Sequence, residues 1–158
     1  MATVMPGAIA ASALLFTLDG VPLIYNGMEV GDATQSRDPA LFEPQKIFWQ
    51  SALWHPEYPK FYTAMDALRR QHPALQQGQI VWLHNSAEQH VVSYLRHAGA
   101  EEFLVVVNLS NTPFRGTVEC DGQRWKAAEL PLAQKGQMAL PFVALDAFGF
   151  EVLERESQ

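Results

Sequence analysis

The sequence predicts a mainly β protein, in which an antiparallel β-sandwich follows a short α/β segment of helix, strand and helix. Two observations carry this prediction. After Gly78 the chain consists of short runs of β-branched and aromatic residues separated by turn residues, which is typical of antiparallel strands. Before Gly78 two helical patterns flank one short apolar run. We therefore divide the chain into an α/β segment, residues 1–77, and an all-β domain, residues 78–158.

The α/β segment opens with a predicted helix over residues 5–18, which are rich in Ala and Leu. Apolar residues lie nearly all round this helix, so we expect neighbours on more than one side. Gly20 is suited to the left-handed conformation that ends many helices. The apolar run that follows has no alternation, which predicts a strand over residues 21–26, buried on both faces as in a parallel sheet.

A long loop over residues 28–57 separates this strand from a second predicted helix, residues 59–71. Loops of this length inside compact domains are usually functional. The apolar face of the second helix carries Phe61, Met65 and Leu68. The residues expected to lie largely outside are Lys60, Arg69 and Arg70.

The all-β domain carries seven predicted strands. They cover residues 80–83, 90–95, 102–108, 115–120, 124–129, 137–142 and 147–153. Short strands at close spacing, with no helical pattern between them, indicate an antiparallel sandwich or barrel.

Composition excludes some classes of partner. The net charge is −6 with 11 Lys and Arg residues, which argues against a nucleic-acid surface. The apolar run at residues 4–18 is too short to span a bilayer and has no basic residue before it, as a signal peptide would. The single cysteine, Cys120, is expected to be a packed residue and not a reactive thiol, which is compatible with a cytoplasmic location.

Three motifs carry a resemblance to the alpha-amylase family of glycoside hydrolases. Residues 20–31, GVPLIYNGMEVG, resemble the family's eighth barrel strand, with the pattern Gly-x-Pro-x-Ile-Tyr-x-Gly-x-Glu; Met28 stands where the family commonly has Asp or Glu. Residues 68–78, LRRQHPALQQG, are similar to its last barrel helix, and residues 105–110, VVVNLS, to a strand of its C-terminal β-domain. The resemblance implies the last strand of a TIM barrel with its flanking helices, followed by a β-sandwich.

The same resemblance implies a parent enzyme that hydrolyses or transglycosylates α-glucosidic carbohydrates. The family's nucleophile, acid/base and stabilising carboxylates lie on its fourth, fifth and seventh barrel strands, which no part of this sequence matches. A complete barrel also takes about 250 residues. We therefore assign no catalytic residue here and expect the chain to be catalytically incompetent by itself.

Glu29 and Asp32 are the candidates for lining a sugar cleft in the intact parent. Glu29 follows the end of the predicted barrel strand, on the face where such barrels build active sites. The alternative is an ordinary loop carboxylate that orients backbone N–H groups. Asp32, together with Asp38 and Glu43, could reach sugar hydroxyls or simply solvate the loop.

Trp49 and Trp54 are candidates for stacking on sugar rings, and Tyr58 and Tyr62 lie nearby in the sequence. We favour the alternative that these rings, with Phe48 and Phe61, fill the junction between the two parts of the chain. The histidines have neither the spacing nor the cysteine partners of a zinc site, and no cofactor motif is present in the sequence, so we expect no metal and no cofactor.

The expected partners are an α-glucan or oligosaccharide and further copies of this chain. Apolar faces made for barrel neighbours favour association, so we expect a homo-oligomer with residues 5–26 at the contact. The competing hypothesis is a non-catalytic carbohydrate-binding or structural β-sandwich module.

Overall fold

The computed structural model describes residues 4–33, 44, 46–122, 124–134 and 139–156, with only the backbone of residues 4 and 5. The helices are α1 (Val4–Thr17), α2 (Ser51–Trp54), α3 (Glu57–Gln71) and α4 (Pro73–Gln77), with one 3₁₀ turn at Met28–Val30. The strands are β1 (Gln79–Trp82), β2 (Val91–Ala98), β3 (Glu101–Asn108), β4 (Phe114–Thr117), β5 (Trp125–Ala127), β6 (Phe142–Leu145) and β7 (Phe150–Arg155).

The strands form two antiparallel sheets. The larger has the order β1-β2-β3-β7-β5, and the smaller pairs β4 with β6. In the central register Val105 lies opposite Tyr94 on one side and Val152 on the other. The predicted mainly β, antiparallel fold is therefore confirmed. Of the predicted strand at 137–142, residues 137 and 138 lie outside the described residues, and the strand in the structure begins at Phe142.

The larger sheet buries both of its faces. On β3, Phe103, Val105 and Val107 face a core that they share with the helices. Leu104 and Val106 face a second core, which the β4-β6 sheet covers. This strict alternation follows from the two-residue period of a strand. The result is three layers, with helices on one face of the main sheet and the small sheet on the other.

Helix α1 packs against α3, α4 and β3, as its all-round apolar pattern predicts. Ala10, Ala13 and Phe16 are buried in the shared core. Past the end of the helix, Gly20 has φ +85°, a left-handed conformation that side chains rarely adopt. One core spans the helices and the sheet, so the packing shows no gap at residue 77. The division of the chain at that residue stays a prediction.

The predicted strand at 21–26 is wrong for the chain as described. Residues 21–25 have no regular secondary structure, and Val21 and Leu23 are 93% and 78% exposed. An apolar run forms a strand only when neighbouring strands accept and donate its hydrogen bonds. No described strand pairs with this run, so the α/β segment contains helices and a connecting segment without the expected strand.

The prediction that Arg69 lies largely outside is also wrong, because the residue is buried. Its side chain is 7% exposed and donates hydrogen bonds to the carbonyl oxygens of Phe16 (2.7 Å), Leu18 (2.8 Å) and Gly20 (2.5 Å). The Phe16 carbonyl lies in the last turn of α1, where backbone acceptors have no partner inside the helix, and the other two follow the helix end. Burial lowers the pKa of Arg69, and the nearby charge of Arg96 lowers it further.

Cys120 is half-buried, and burial, followed by the charge of Asp121, raises the pKa of its thiol to about 11. A raised pKa leaves little thiolate near neutral pH, which agrees with the expected packing role. Among the described residues, no helix has the length and the apolar character that crossing a bilayer requires.

Candidate functional site

The candidate site is built on a tight turn over residues 26–32, directly after the exposed apolar segment 21–25. Gly27 and Gly31 have φ +94° and +64°, and they bracket the 3₁₀ turn Met28–Val30. The Asp32 N–H donates to the Gly27 carbonyl at 2.9 Å and closes the loop. Glycine is required at both ends because a Cβ disfavours these left-handed conformations. The turn therefore holds Glu29 and Asp32 in fixed backbone positions.

Glu29 is half-buried, and its Oε2 accepts the Gly27 N–H at 2.9 Å. Helix α3 packs against this turn and brings Tyr62 near the Glu29 carboxylate. Burial is the main cause of the raised pKa of Tyr62; the Glu29 charge adds to it and a hydrogen bond with Ser12 opposes it. The observed hydrogen bond is the one expected of a carboxylate that orients loop N–H groups. Lining of a sugar cleft by Glu29 stays a prediction.

Asp32 joins the turn to the segment before α2. Its Oδ2 accepts the Phe48 N–H at 3.1 Å, and Ile47 lies against Gly27. Asp32 therefore also has a structural role, and its predicted contact with substrate stays a prediction. The other two loop carboxylates that the sequence suggested, Asp38 and Glu43, lie outside the described residues.

The aromatic residues near this turn divide into two groups. Tyr58, Phe61 and Tyr62 are buried in the shared core, as the packing interpretation predicts. For Phe48, Trp49 and Trp54 that interpretation is wrong: these side chains are 42%, 54% and 68% exposed. The reason is that α2 is a single turn and no described element covers its outer side.

Four exposed side chains, Phe48, Trp49, Leu53 and Trp54, form what we call the aromatic surface. The rings of Phe48 and Trp54 contact each other with their centroids 5.2 Å apart. Through the Asp32–Phe48 hydrogen bond this surface is tied to the turn that carries Glu29. Of the predicted site residues, Glu29 and Asp32 lie on one turn, and the segment that carries Trp49 and Trp54 is joined to that turn through Phe48.

A group of three side chains could hold a metal ion. His72, Glu101 and Glu154 each offer a ligand atom, and these atoms lie within 4.8 Å of one another. However, Glu101 already accepts hydrogen bonds from the Ala74 N–H and pairs with His72 Nδ1, both at 2.7 Å. This carboxylate serves the N-terminus of α4, a favourable place for negative charge. We therefore assign the group a structural role.

Sequence patterns did not indicate one further groove, of about 340 Å³, at the end of edge strand β1. It is lined by Trp82, His84 and Glu88 among others. The sequence carries no signal for it, because only the folded sheet shows that β1 is the outermost strand, where the large side chain of Trp82 can stay uncovered.

The comparisons with known proteins agree on a family. No protein-family model matches the chain. It is 32% identical over 114 residues to a cyclomaltodextrinase of Geobacillus thermopakistaniensis, covering 69% of this chain and 19% of that protein. It is 29% identical over 108 residues to Alpha-amylase 2 of Dictyoglomus thermophilum, covering 64% and 18%. The chain is a relative of the alpha-amylase family. It corresponds to the C-terminal part of these glycoside hydrolases and spans about a fifth of the length of the curated relatives it matches.

Solved structures of alpha-amylase-family enzymes share the fold. A pullulanase from Anoxybacillus sp. LM18-11, complexed with maltotriose, superposes with a TM-score of 0.76 at 14% identity, covering 99% of this chain and 24% of that chain. An alpha-glucosyl transfer enzyme superposes with a TM-score of 0.74 at 18% identity, covering 98% and 36%. At these identities the likeness shows the fold alone, and it extends over the helices as well as the sheets.

Proposed function

We propose that this chain forms the C-terminal part of an alpha-amylase-family glycosidase or transglycosidase that acts on α-glucosidic carbohydrates, and that the chain does not cleave them by itself. The observation that carries the proposal is the exposure of the apolar segment 21–25 beside the turn that holds Glu29. Large apolar groups in one contiguous exposed patch mark a surface that another element covers. A sugar cleft that has Glu29 on its wall therefore needs additional polypeptide that packs against this exposed segment.

The chemistry of the described carboxylates supports the second half of the proposal. A retaining glycosidase needs two carboxyl groups about 5–5.5 Å apart that flank the scissile bond. Glu29 and Asp32 each accept a backbone N–H instead, one from Gly27 and one from Phe48. In our proposal these two residues shape the wall of the cleft, and the nucleophile and the acid/base come from outside this chain.

The substrate class rests on the relatives. The sequence relatives are named an alpha-amylase and a cyclomaltodextrinase, and the structural relatives include pullulanases and a debranching enzyme. These names share an α-glucan as the substrate. Hydrolysis and transfer to another sugar both remain within the proposal, because an alpha-glucosyl transfer enzyme is among the structural relatives.

The first prediction is that the purified chain does not turn over a chromogenic α-glucoside or maltoheptaose above a buffer blank. The reason is that Glu29 and Asp32, the carboxylates of the candidate site, each accept a backbone N–H of the loop. Release of the chromophore and of reducing ends measures the rates, with a complete cyclomaltodextrinase as positive control. Turnover that disappears in a Glu29→Gln variant would contradict the proposal, because it would make Glu29 catalytic in this chain.

We further propose that the chain associates with copies of itself through residues 5–26. Helix α1 is already covered by α3, α4 and β3, so the contact falls on the exposed part, residues 21–25. The aromatic surface, which is tied to the same turn through the Asp32–Phe48 hydrogen bond, adds exposed apolar area that association can bury.

The second prediction follows from this arrangement. Light scattering of the wild-type chain should give at least a dimer, and a Val21→Ser, Leu23→Ser double variant should shift the mass toward the monomer. Phe142→Ser is the matched control, because Phe142 is also exposed but lies on β6, in the small sheet. A strict monomer at high concentration, or an equal shift in the control, would refute the role of residues 21–25.

A further inference from the structure

A groove at the end of strand β1 lies outside the turn that carries Glu29 and Asp32. It has a volume of about 340 Å³ and is lined by residues of β1, β2 and the turn that joins them, among them Trp82, Leu83, His84, Glu88 and Val92. We call it the Trp82 groove. Because β1 is the outermost strand of the main sheet, no described strand covers its free side.

Trp82 offers a large aromatic surface that is held in place. The side chain is 62% exposed, and its ring packs edge-on against Tyr94, with centroids 5.2 Å apart. Tyr94 is fully buried, and its hydroxyl hydrogen-bonds to Thr17 Oγ1 at 2.7 Å. The indole therefore stands on a rigid support while most of it remains open to a ligand.

Two polar side chains stand beside the indole. His84 Nδ1 and Glu88 Oε1 pair at 2.6 Å, and the two side chains are 80% and 57% exposed. The hydrogen bond to the Glu88 carboxylate is the main cause of the raised pKa of His84. A protonated imidazole donates from both nitrogens, and a carboxylate accepts through both oxygens. The pair thus offers a donor and an acceptor side by side.

The turn that carries this pair is preorganised. Asn85 Nδ2 donates to the Val91 carbonyl at 3.0 Å and to Ser93 Oγ at 2.9 Å, and Asn85 Oδ1 accepts the Ala87 N–H at 2.9 Å. The Glu119 N–H donates to the His84 carbonyl at 2.8 Å. Little ordering is then needed when a ligand binds, which lowers the cost of association.

We infer that the Trp82 groove binds a neutral α-glucan chain. A pyranose ring has an apolar C–H face that suits an indole, and its neighbouring hydroxyl groups suit a paired donor and acceptor. An open groove fits a chain of sugars, and a mostly apolar wall with few polar groups is typical of ligand sites. The choice of an α-glucan, among neutral sugars, rests on the proposed function.

An anionic ligand fits this surface less well. Glu88 lies in the groove, the Glu119 charge also acts on His84, and the chain carries a net charge of −6. A phosphate would meet one imidazole and the carboxylate of Glu88, with the negative charge of Glu119 near the imidazole. An uncharged polyol meets no such repulsion.

Isothermal titration of the full chain with maltoheptaose tests the inference. For the wild-type chain we expect a dissociation constant of about 1 mM. The Trp82→Ala variant should bind at least tenfold more weakly. The Glu88→Gln variant, which keeps the Trp82 ring but loses the Glu88 charge, should also bind more weakly than the wild type. Phe142→Ala, on another sheet, should bind as the wild type does. Unchanged thermal melting of the variants shows that they fold, and Glu88→Gln keeps the test valid if Trp82→Ala unfolds.

Several outcomes would overturn the inference. They are an absence of wild-type binding at about 10 mM maltoheptaose, equal binding of a β-linked cello-oligosaccharide, and loss of binding in Trp54→Ala but not in Trp82→Ala. The last outcome would move the site to the aromatic surface. None of them bears on the proposed lack of turnover, which the chromogenic assay tests separately, so the two failures are distinguishable.

Discussion

Replacing Arg69 by methionine is expected to lower the free energy of unfolding by about 3 kcal/mol. The guanidinium donates to the carbonyl oxygens of Phe16, Leu18 and Gly20, which lie at or beyond the last turn of α1. Methionine fills similar space but donates nothing, so buried and half-buried carbonyls lose their partner. Each unsatisfied buried acceptor costs about 1–3 kcal/mol, and water can reach some of the three.

Urea denaturation followed by circular dichroism measures this loss. Arg70→Met is the matched control, because Arg70 is the next residue of α3, is exposed, and among the described residues pairs with Asp66 of the same helix at 3.2 Å. Exposed pairs of this kind contribute about 0.3–0.5 kcal/mol. Equal losses in the two variants would show that the buried position of Arg69 does not stabilise the fold.

The Arg69 side chain also fixes the point where the chain leaves α1. It holds the backbone from Phe16 to Gly20, from which the chain continues into the exposed segment 21–25. A basic residue of the motif LRRQHPALQQG thus stabilises backbone about fifty residues earlier in the sequence.

The central strands could be predicted from the sequence because each has a local pattern. In β3 both faces are apolar, and turn residues stand on either side. The helix over residues 5–18 could be predicted for the same reason, since composition and the glycine stop are local. The exact ends of the short outer strands could not, because an edge strand has fewer neighbours to fix where pairing stops.

What could not be predicted depends on partners distant in the sequence. An apolar run at 21–26 indicates burial, but a strand needs neighbours that the run itself does not specify. Arg69 has the charge of a surface residue, and only its contact with the end of α1, about fifty residues away, explains its burial. Likewise, the large rings of Trp49, Trp54 and Trp82 do not show in the sequence that the fold leaves them exposed.

The candidate site likewise combines features that are encoded locally with a contact between residues distant in the sequence. The glycines of the turn at 26–32 and the position of Glu29 are encoded locally, and the resemblance motif contains them. The bond between Asp32 and the Phe48 N–H crosses sixteen residues and brings the aromatic surface to the turn. No periodicity in the sequence indicates that contact.

Phe61→Ala is expected to lower the free energy of unfolding by about 4 kcal/mol. Phe61 is fully buried on α3, where its ring contacts Tyr62 of the same helix at 5.2 Å and Phe150 of β7 at 5.8 Å. Truncation leaves a cavity between helix and sheet. Because the helices and the sheet share that core, the helical and the aromatic circular-dichroism signals should report the same transition. The midpoints seen in the far-ultraviolet and near-ultraviolet should both move to lower urea concentration together.

Phe142→Ala is the control that distinguishes the loss of buried apolar area from the removal of an aromatic ring as such. Phe142 is exposed on β6, so its truncation should change stability by no more than about 0.5 kcal/mol. If the helical signal of Phe61→Ala instead melted well before the aromatic one, residues 1–77 and 78–158 would unfold as two units. Coincident transitions would mean that the helices are stable only on the sheet, because the face of Phe150 and Val105 is the main apolar surface that α1 and α3 cover.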